Sequence, residues 1–288
     1  MAAGRPGGRR LPRALRSGSL LVGGLIVGGL LGVAIGAPWL APYAPTAIFP
    51  GAEIEPPGPR FLLGTDEVGR DILSRVLYGA RVSLGVAIPS VGLAAAIGGA
   101  LGVCLGYFGG ALDLLAARAF DVLFAFPPIL LAIALVAALG PSTVNLILTI
   151  AVLTLPQFAV LARSATLAVA PQDFVQAARA LGASHGRMLR SHVLPNIAAP
   201  LAVQASLSLS IVILVEAALS FLGLGTQPPA PSWGSMLSRG RQYMTIAPWL
   251  VLAPGLAIML AVLGFNLLGD AQRDLLDPRR SGSRGRTT

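Results

Sequence analysis

Leu20-Leu-Val-Gly-Gly-Leu-Ile-Val-Gly-Gly-Leu-Leu-Gly-Val-Ala-Ile-Gly-Ala37 contains no charged residue. As an α-helix, a run of this length covers about 27 Å, close to the hydrocarbon thickness of a bilayer. Arg5, Arg9, Arg10, Arg13 and Arg16 stand before it. A basic head followed by an apolar run also describes a secretory leader. This run is longer than a leader's, however, and more apolar runs follow. Residues 20–37 are therefore read as a retained first transmembrane helix, after a cytoplasmic tail at 1–19.

The other runs lie at 84–105, 122–139, 144–161, 197–224 and 249–268. Each is near the length that crosses a bilayer. The chain of 288 residues is 55% hydrophobic and only 11% charged. A soluble domain carries about a quarter charged residues, so there are too few here to coat a water-facing globule. The expected fold class is an all-α integral membrane protein with about six transmembrane helices. Pro89, Pro127, Pro128, Pro156 and Pro200 fall in or near the runs, which a packed membrane bundle tolerates. Gly98, Gly99, Gly102 and Gly106 allow helices to approach closely. No internal repeat is visible, which argues against an inverted-repeat transporter.

Residues 38–82 read as an external loop. Seven prolines between Pro38 and Pro59 exclude a helix there. Beyond them, Thr65 can act as an N-cap, with Asp66 and Glu67 in the first turn. Val68, Ile72, Val76 and Leu77 recur near helical spacing, so an amphipathic helix is expected along the interface before the second span. The membrane core then covers 83–270, interrupted by an inner loop at 163–196, and a second cytoplasmic tail covers 271–288.

All 21 basic residues are Arg, and the net charge is +9. Long apolar runs separate the Arg clusters, so membrane orientation explains them better than a nucleic-acid partner does. With both termini in the cytoplasm, fifteen Arg lie inside and six outside, as the positive-inside rule requires. A chain without Lys has no P-loop Lys and cannot bind ATP in that way. The single Cys104 excludes an intrachain disulfide and reads as a small buried hydrophobe.

The inner loop is the most informative segment. It reads Pro171-Gln-Asp-Phe-Val-Gln-Ala-Ala-Arg-Ala-Leu-Gly182, then Ala-Ser-His-Gly-Arg-Met-Leu-Arg-Ser-His-Val-Leu-Pro195. Two short helices are predicted. In the first, Phe174, Ala177, Ala178 and Leu181 form one apolar stripe, and Gly182 stands at the C-terminal stop. In the second, Ser184 caps, Met188, Leu189 and His192 share a face, and Pro195 limits the helix. The apolar stripes either rest on the membrane or the inner ends of the bundle, or dock into a partner; the pattern itself leaves both open.

Gln176-Ala177-Ala178, then Gly182, then His192-Val-Leu-Pro195 resembles the EAA loop of bacterial ABC importer permeases. That loop reads Glu-Ala-Ala, three residues, Gly, nine residues, Ile-x-Leu-Pro, and the spacing here matches throughout. Gln176 replaces the Glu and His192 the Ile; Gln keeps a hydrogen-bonding amide and loses the charge. Leu63-Gly-Thr-Asp-Glu-Val-Gly-Arg-Asp71 and Leu77-Tyr-Gly-Ala-Arg-Val-Ser83 are similar to the C-type permeases of the dipeptide/oligopeptide/nickel family. So are Glu216-Ala-Ala-Leu-Ser-Phe-Leu-Gly-Leu-Gly225, Pro231-Ser-Trp-Gly234 and Phe265-Asn-Leu-Leu-Gly-Asp270.

The resemblance implies a type I ABC importer permease of the bacterial cytoplasmic membrane, moving di- or oligopeptides or a similar solute such as nickel complexes. The implied partners are a second homologous permease, two ATP-binding subunits that hydrolyse the ATP, and an external substrate-binding protein. Gln176, Ala177, Ala178, Leu181, Gly182, His192, Leu194 and Pro195 take the positions of the ATPase-coupling loop. The alternative is a secondary transporter or channel acting without an ATPase.

Outside that loop, Glu216 is an acid within an apolar run. Such a residue lines or gates a pathway, or ties helices together. Asp113, Arg118 and Asp121 are expected to pair with one another. His185 and His192 lack the partners of a metal site, and neither a cofactor nor a catalytic residue is called for.

Overall fold

A computed structural model describes residues 18–276. Nearly all of the two tails, 1–17 and 277–288 with their Arg clusters, lies outside the described residues. The helices in order are α1 (Gly18–Leu40), α2 (Ile72–Phe108), α3 (Gly110–Ala125), α4 (Pro128–Leu139), α5 (Thr143–Val169), α6 (Asp173–Ala180), α7 (His185–Met188), α8 (Leu194–Phe221), α9 (Trp233–Gly240) and α10 (Trp249–Leu276). Among the described residues, strand pairing is limited to one bridge, Thr65 with Asp71. Among the described residues, five helices are long and apolar enough to cross a membrane, and the bent pair α3–α4 raises the number to six.

Glycine sets the tightest contact, between α2 and α5. A methyl group at Gly98 would meet the Leu155 carbonyl, one at Gly102 the Ala159 carbonyl, and one at Gly106 the Arg163 carbonyl. The spacing of four puts the three glycines on one stripe of α2, so backbone meets backbone along three turns. Gly99 lies off that stripe, with only ordinary contact to Leu201. On the other side of the bundle, α1 seats Gly23 against Leu267 and Leu268 of α10, and Gly264 of α10 receives Ile26.

The expected interfacial helix is replaced by something different. Thr65 is not an N-cap. Its hydroxyl accepts from the Glu55 amide and donates to the Ala52 carbonyl. The helix begins at Ile72, capped by Asp71, whose Oδ2 accepts from the Ser74 amide at 2.7 Å. From there α2 runs unbroken for 37 residues into the membrane core.

Asp66 explains the change. It accepts from the amides of Val68 and Arg70 and from Arg70 Nε at 2.7 Å, and Arg75 Nε lies 3.4 Å away. Glu67 reaches Arg70 and Arg239 of α9. Gly64 and Gly69, at φ +75° and +79°, bring the chain against Glu55 and Phe49. The segment 64–71 is thus a buried, charge-paired turn that holds the proline-rich loop on the bundle. Its fixed geometry outweighs the local capping signal at Thr65.

Three more expectations change. The run at 122–139 is not one straight helix: α3 and α4 meet at 96°. Pro127 and Pro128 open α4, where Pro is welcome, but neither can continue α3. Pro195 does not end a helix either. Leu189–Val193 forms one π turn, and the chain passes through it from α7 into α8. A widened turn spares the Pro ring its clash with the carbonyl one turn back. Cys104 is exposed on α2, not buried.

Candidate coupling site

The 170–195 loop projects from one end of the bundle, between α5 and α8. Its two halves form as the local pattern dictates. α6 starts with Asp173 in its first turn and ends before Gly182, which has φ +78°. A side chain at Gly182 would meet nothing within 4 Å, so the position needs glycine for its backbone and not for space. Ser184 caps α7 by accepting from the Arg187 amide.

Anchoring falls to Val175 beside the first stripe and to Met188 from the second predicted face. Val175, Met188, Val193 and Ile197 are buried. Val193 and Ile197 join Val103 and Ala162 in a small core between the loop, α2 and α5. The stripe itself faces outward. Phe174 and Ala177 are exposed, Ala178 is half-buried, and Leu181 is 89% exposed. The first helix's stripe therefore does not pack on the bundle, whereas Met188 of the second helix does. Gln176 is exposed, and its side-chain amide donates to the Ala170 carbonyl at 2.9 Å. His192 is half-buried with its ring 6.3 Å from that of Phe174, while Leu194 and Pro195 are exposed in the first turn of α8.

A second anchor went unnoticed in the sequence. Tyr107, near the end of α2, lies with its hydroxyl 3.0 Å from His185 Nδ1. Arg179 Nη2 donates to the same hydroxyl at 3.3 Å, and its guanidinium sits 5.7 Å from the Tyr107 ring centre. Phe108 completes the group, with its ring 5.8 Å from that of His185. One Tyr therefore holds both halves of the loop. Only the aromatic pair Tyr107-Phe108 at the end of an apolar run hinted at this.

The acid–base pairing follows expectation in one pair and departs from it in the other. Arg118 pairs with Asp121 at 3.6 Å, on the surface. Asp113 instead makes a two-pronged bond to Arg163, with Nη2 to Oδ2 at 2.6 Å, and so ties α3 to α5 just before the loop. Glu216 lies far from the loop and is fully buried. It accepts from Ser220 Oγ at 2.7 Å and lines neither of the open grooves beside α5 and α8. No group of three or more His, Cys, Asp or Glu side chains suited to a metal comes together among the described residues.

The sequence as a whole is similar to known proteins. Over 259 residues the chain is 46% identical to the dipeptide transport system permease protein DppC of Alkalihalophilus pseudofirmus, covering 90% of this chain and 85% of that one. It is 46% identical over 252 residues to the di/tripeptide transport system permease protein DppC of Pseudomonas aeruginosa, covering 85% and 83%. It is also 43% identical over 268 residues to the glutathione transport system permease protein GsiD of Pectobacterium atrosepticum, covering 93% and 89%. Residues 98–282 match the family described as binding-protein-dependent transport system inner membrane component, and the chain belongs to that family.

Proposed function

We propose that this chain is a membrane-spanning permease subunit of an ATP-driven importer that carries peptides, or a similar small solute such as a nickel complex, across the cytoplasmic membrane. It pairs with a second, homologous permease. Two ATP-binding subunits sit beneath the pair, and an external binding protein delivers the solute. ATP is hydrolysed in the partner subunits.

The observation that carries this reading is mechanical. The outward stripe Phe174, Ala177 and Leu181 belongs to a loop continuous with a spanning helix: from His185 to Phe221 the chain is helical for 37 residues. Val193 and Ile197 lock the loop to α2 and α5. A partner that grips the stripe and moves therefore moves α8 across its whole length. Two packed arrangements of such a lever, biased by ATP in the partner, suffice for alternating access.

Expression with its partner subunits, followed by purification on a tag carried by this chain, tests the assignment. The expected result is co-purification of an ATPase, with hydrolysis stimulated by the loaded binding protein. Solute transport by this chain alone in liposomes would overturn it.

A further inference from the structure

Two cavities open along α5 and α8. The larger, about 750 Å³, is lined by Asn196, Gln204 and Arg273 among apolar neighbours. The smaller, about 130 Å³, reaches the α3–α4 bend at Phe126 and is lined by Thr154 and Gln157. Between them stands one polar pair: Gln204 Nε2 donates to Gln157 Oε1 at 3.4 Å and to Ser208 Oγ at 3.2 Å.

Depth makes the pair unusual. Gln157 is about 21 Å from the start of α5 and about 18 Å from its end at 1.5 Å per residue. Gln204 is about 15 Å from the start of α8 on the same scale. Both therefore lie at hydrocarbon depth, with Gln157 exposed and Gln204 half-buried. On α5, residues 155, 159 and 163 abut α2, and Gln157 falls on the opposite side. Amides facing lipid here would go unsatisfied, so this face meets water or protein. A groove of about 750 Å³ alongside is peptide-sized, larger than one packed side chain needs.

We infer that this face of α5 and α8 lines the translocation path, and that Gln157 and Gln204 form a neutral step at which the amide groups of a passing peptide are bound. The inference rests on the importer assignment above and names the wall on which the solute moves. A side-chain amide and a peptide bond are the same functional group, each with a donor and an acceptor. The 3.4 Å bond between the two glutamines is long, so exchanging it for bonds to a ligand sacrifices little. Neither residue is charged, so the pair reads backbone and tolerates varied side chains. Because α8 continues into the coupling loop, the same movement that follows ATP binding displaces Gln204.

The test uses the whole transporter in membranes. With the exposed Cys104 replaced by Ser, Gln157→Cys, Gln204→Cys and, as a lipid-facing control, Leu25→Cys are treated with a small hydrophilic thiol reagent, both nucleotide-free and with ATP trapped. Positions 157 and 204 are expected to react at least about tenfold faster than position 25 in one of the two states, and saturating alanylalanine should slow the reaction. Gln204→Leu should lower alanylalanine uptake about tenfold, the worth of one amide hydrogen bond, with partial rescue in Gln204→Asn. Failure of both cysteines to react in either state overturns the inference. So does their cross-linking to the second permease in place of labelling, which would make the face a subunit contact. If the unaltered transporter ignores alanylalanine, the peptide assignment fails, while labelling still decides whether the two positions face water.

Discussion

The Tyr107 hydroxyl lies 3.0 Å from His185 Nδ1, joining the end of a spanning helix to the first residue of α7. Arg179 on α6 shares that hydroxyl, so a single oxygen ties both arms of the 170–195 loop to α2. Its removal leaves the spans intact and lets the loop swing on Gly182. Tyr107→Phe should keep normal membrane insertion. Transport-coupled ATP hydrolysis should fall about two- to tenfold, the range expected for one net hydrogen bond. Hydrolysis and uptake measured in proteoliposomes check this, and unchanged values would remove Tyr107 from the coupling device.

Gly182→Val should be more severe. A β-branched residue at φ +78° costs about 1–2 kcal/mol or redirects the backbone. The space around the position is empty, so any effect comes from the altered angle between α6 and α7. Insertion should survive, while co-purification of the ATPase drops sharply. Wild-type levels of both association and stimulated hydrolysis would show that this loop is not where the ATPase couples.

Packing between α2 and α5 depends on Gly102, where any side chain meets the Ala159 carbonyl. Gly102→Leu must push the helices apart, at a cost of about 1–3 kcal/mol or more. Gly24→Leu, with open space around it, is the control. Thermal aggregation in detergent should begin at a clearly lower temperature for the first and change little for the second.

Glu216→Gln keeps the acceptor for Ser220 and removes the acid. Uptake within about twofold of wild type is expected from a buried residue whose bond runs within its own helix. Glu216→Leu should lose about 1–3 kcal/mol of stability by leaving that buried hydroxyl unsatisfied. Abolished uptake in the Gln variant, with normal expression and assembly, would instead assign Glu216 to gating.

Topology rests on fifteen Arg inside against six outside. Reporter fusions after Ser19 and after Arg280 should both report the cytoplasm. An external signal at either position would reverse or break the proposed orientation.

Whatever depends on neighbours along the chain can be read before it folds. Apolar runs long enough for a bilayer set the spans, because no other solvent accepts that much apolar surface. Gly182 and Ser184 were legible as stop and cap, since left-handed backbone and orphan amides are met within a few residues. The rest waited on contacts between distant segments. Asp113 chose Arg163, 50 residues away, over its near neighbours. Thr65 gave up its cap to a turn held by Arg75 and Arg239. Pro195 let a helix pass through a π turn, and Gln157 met Gln204 across two helices. A local capping preference is worth about 1 kcal/mol, and contacts with distant residues outweigh it, so these outcomes are settled only once the helices have met.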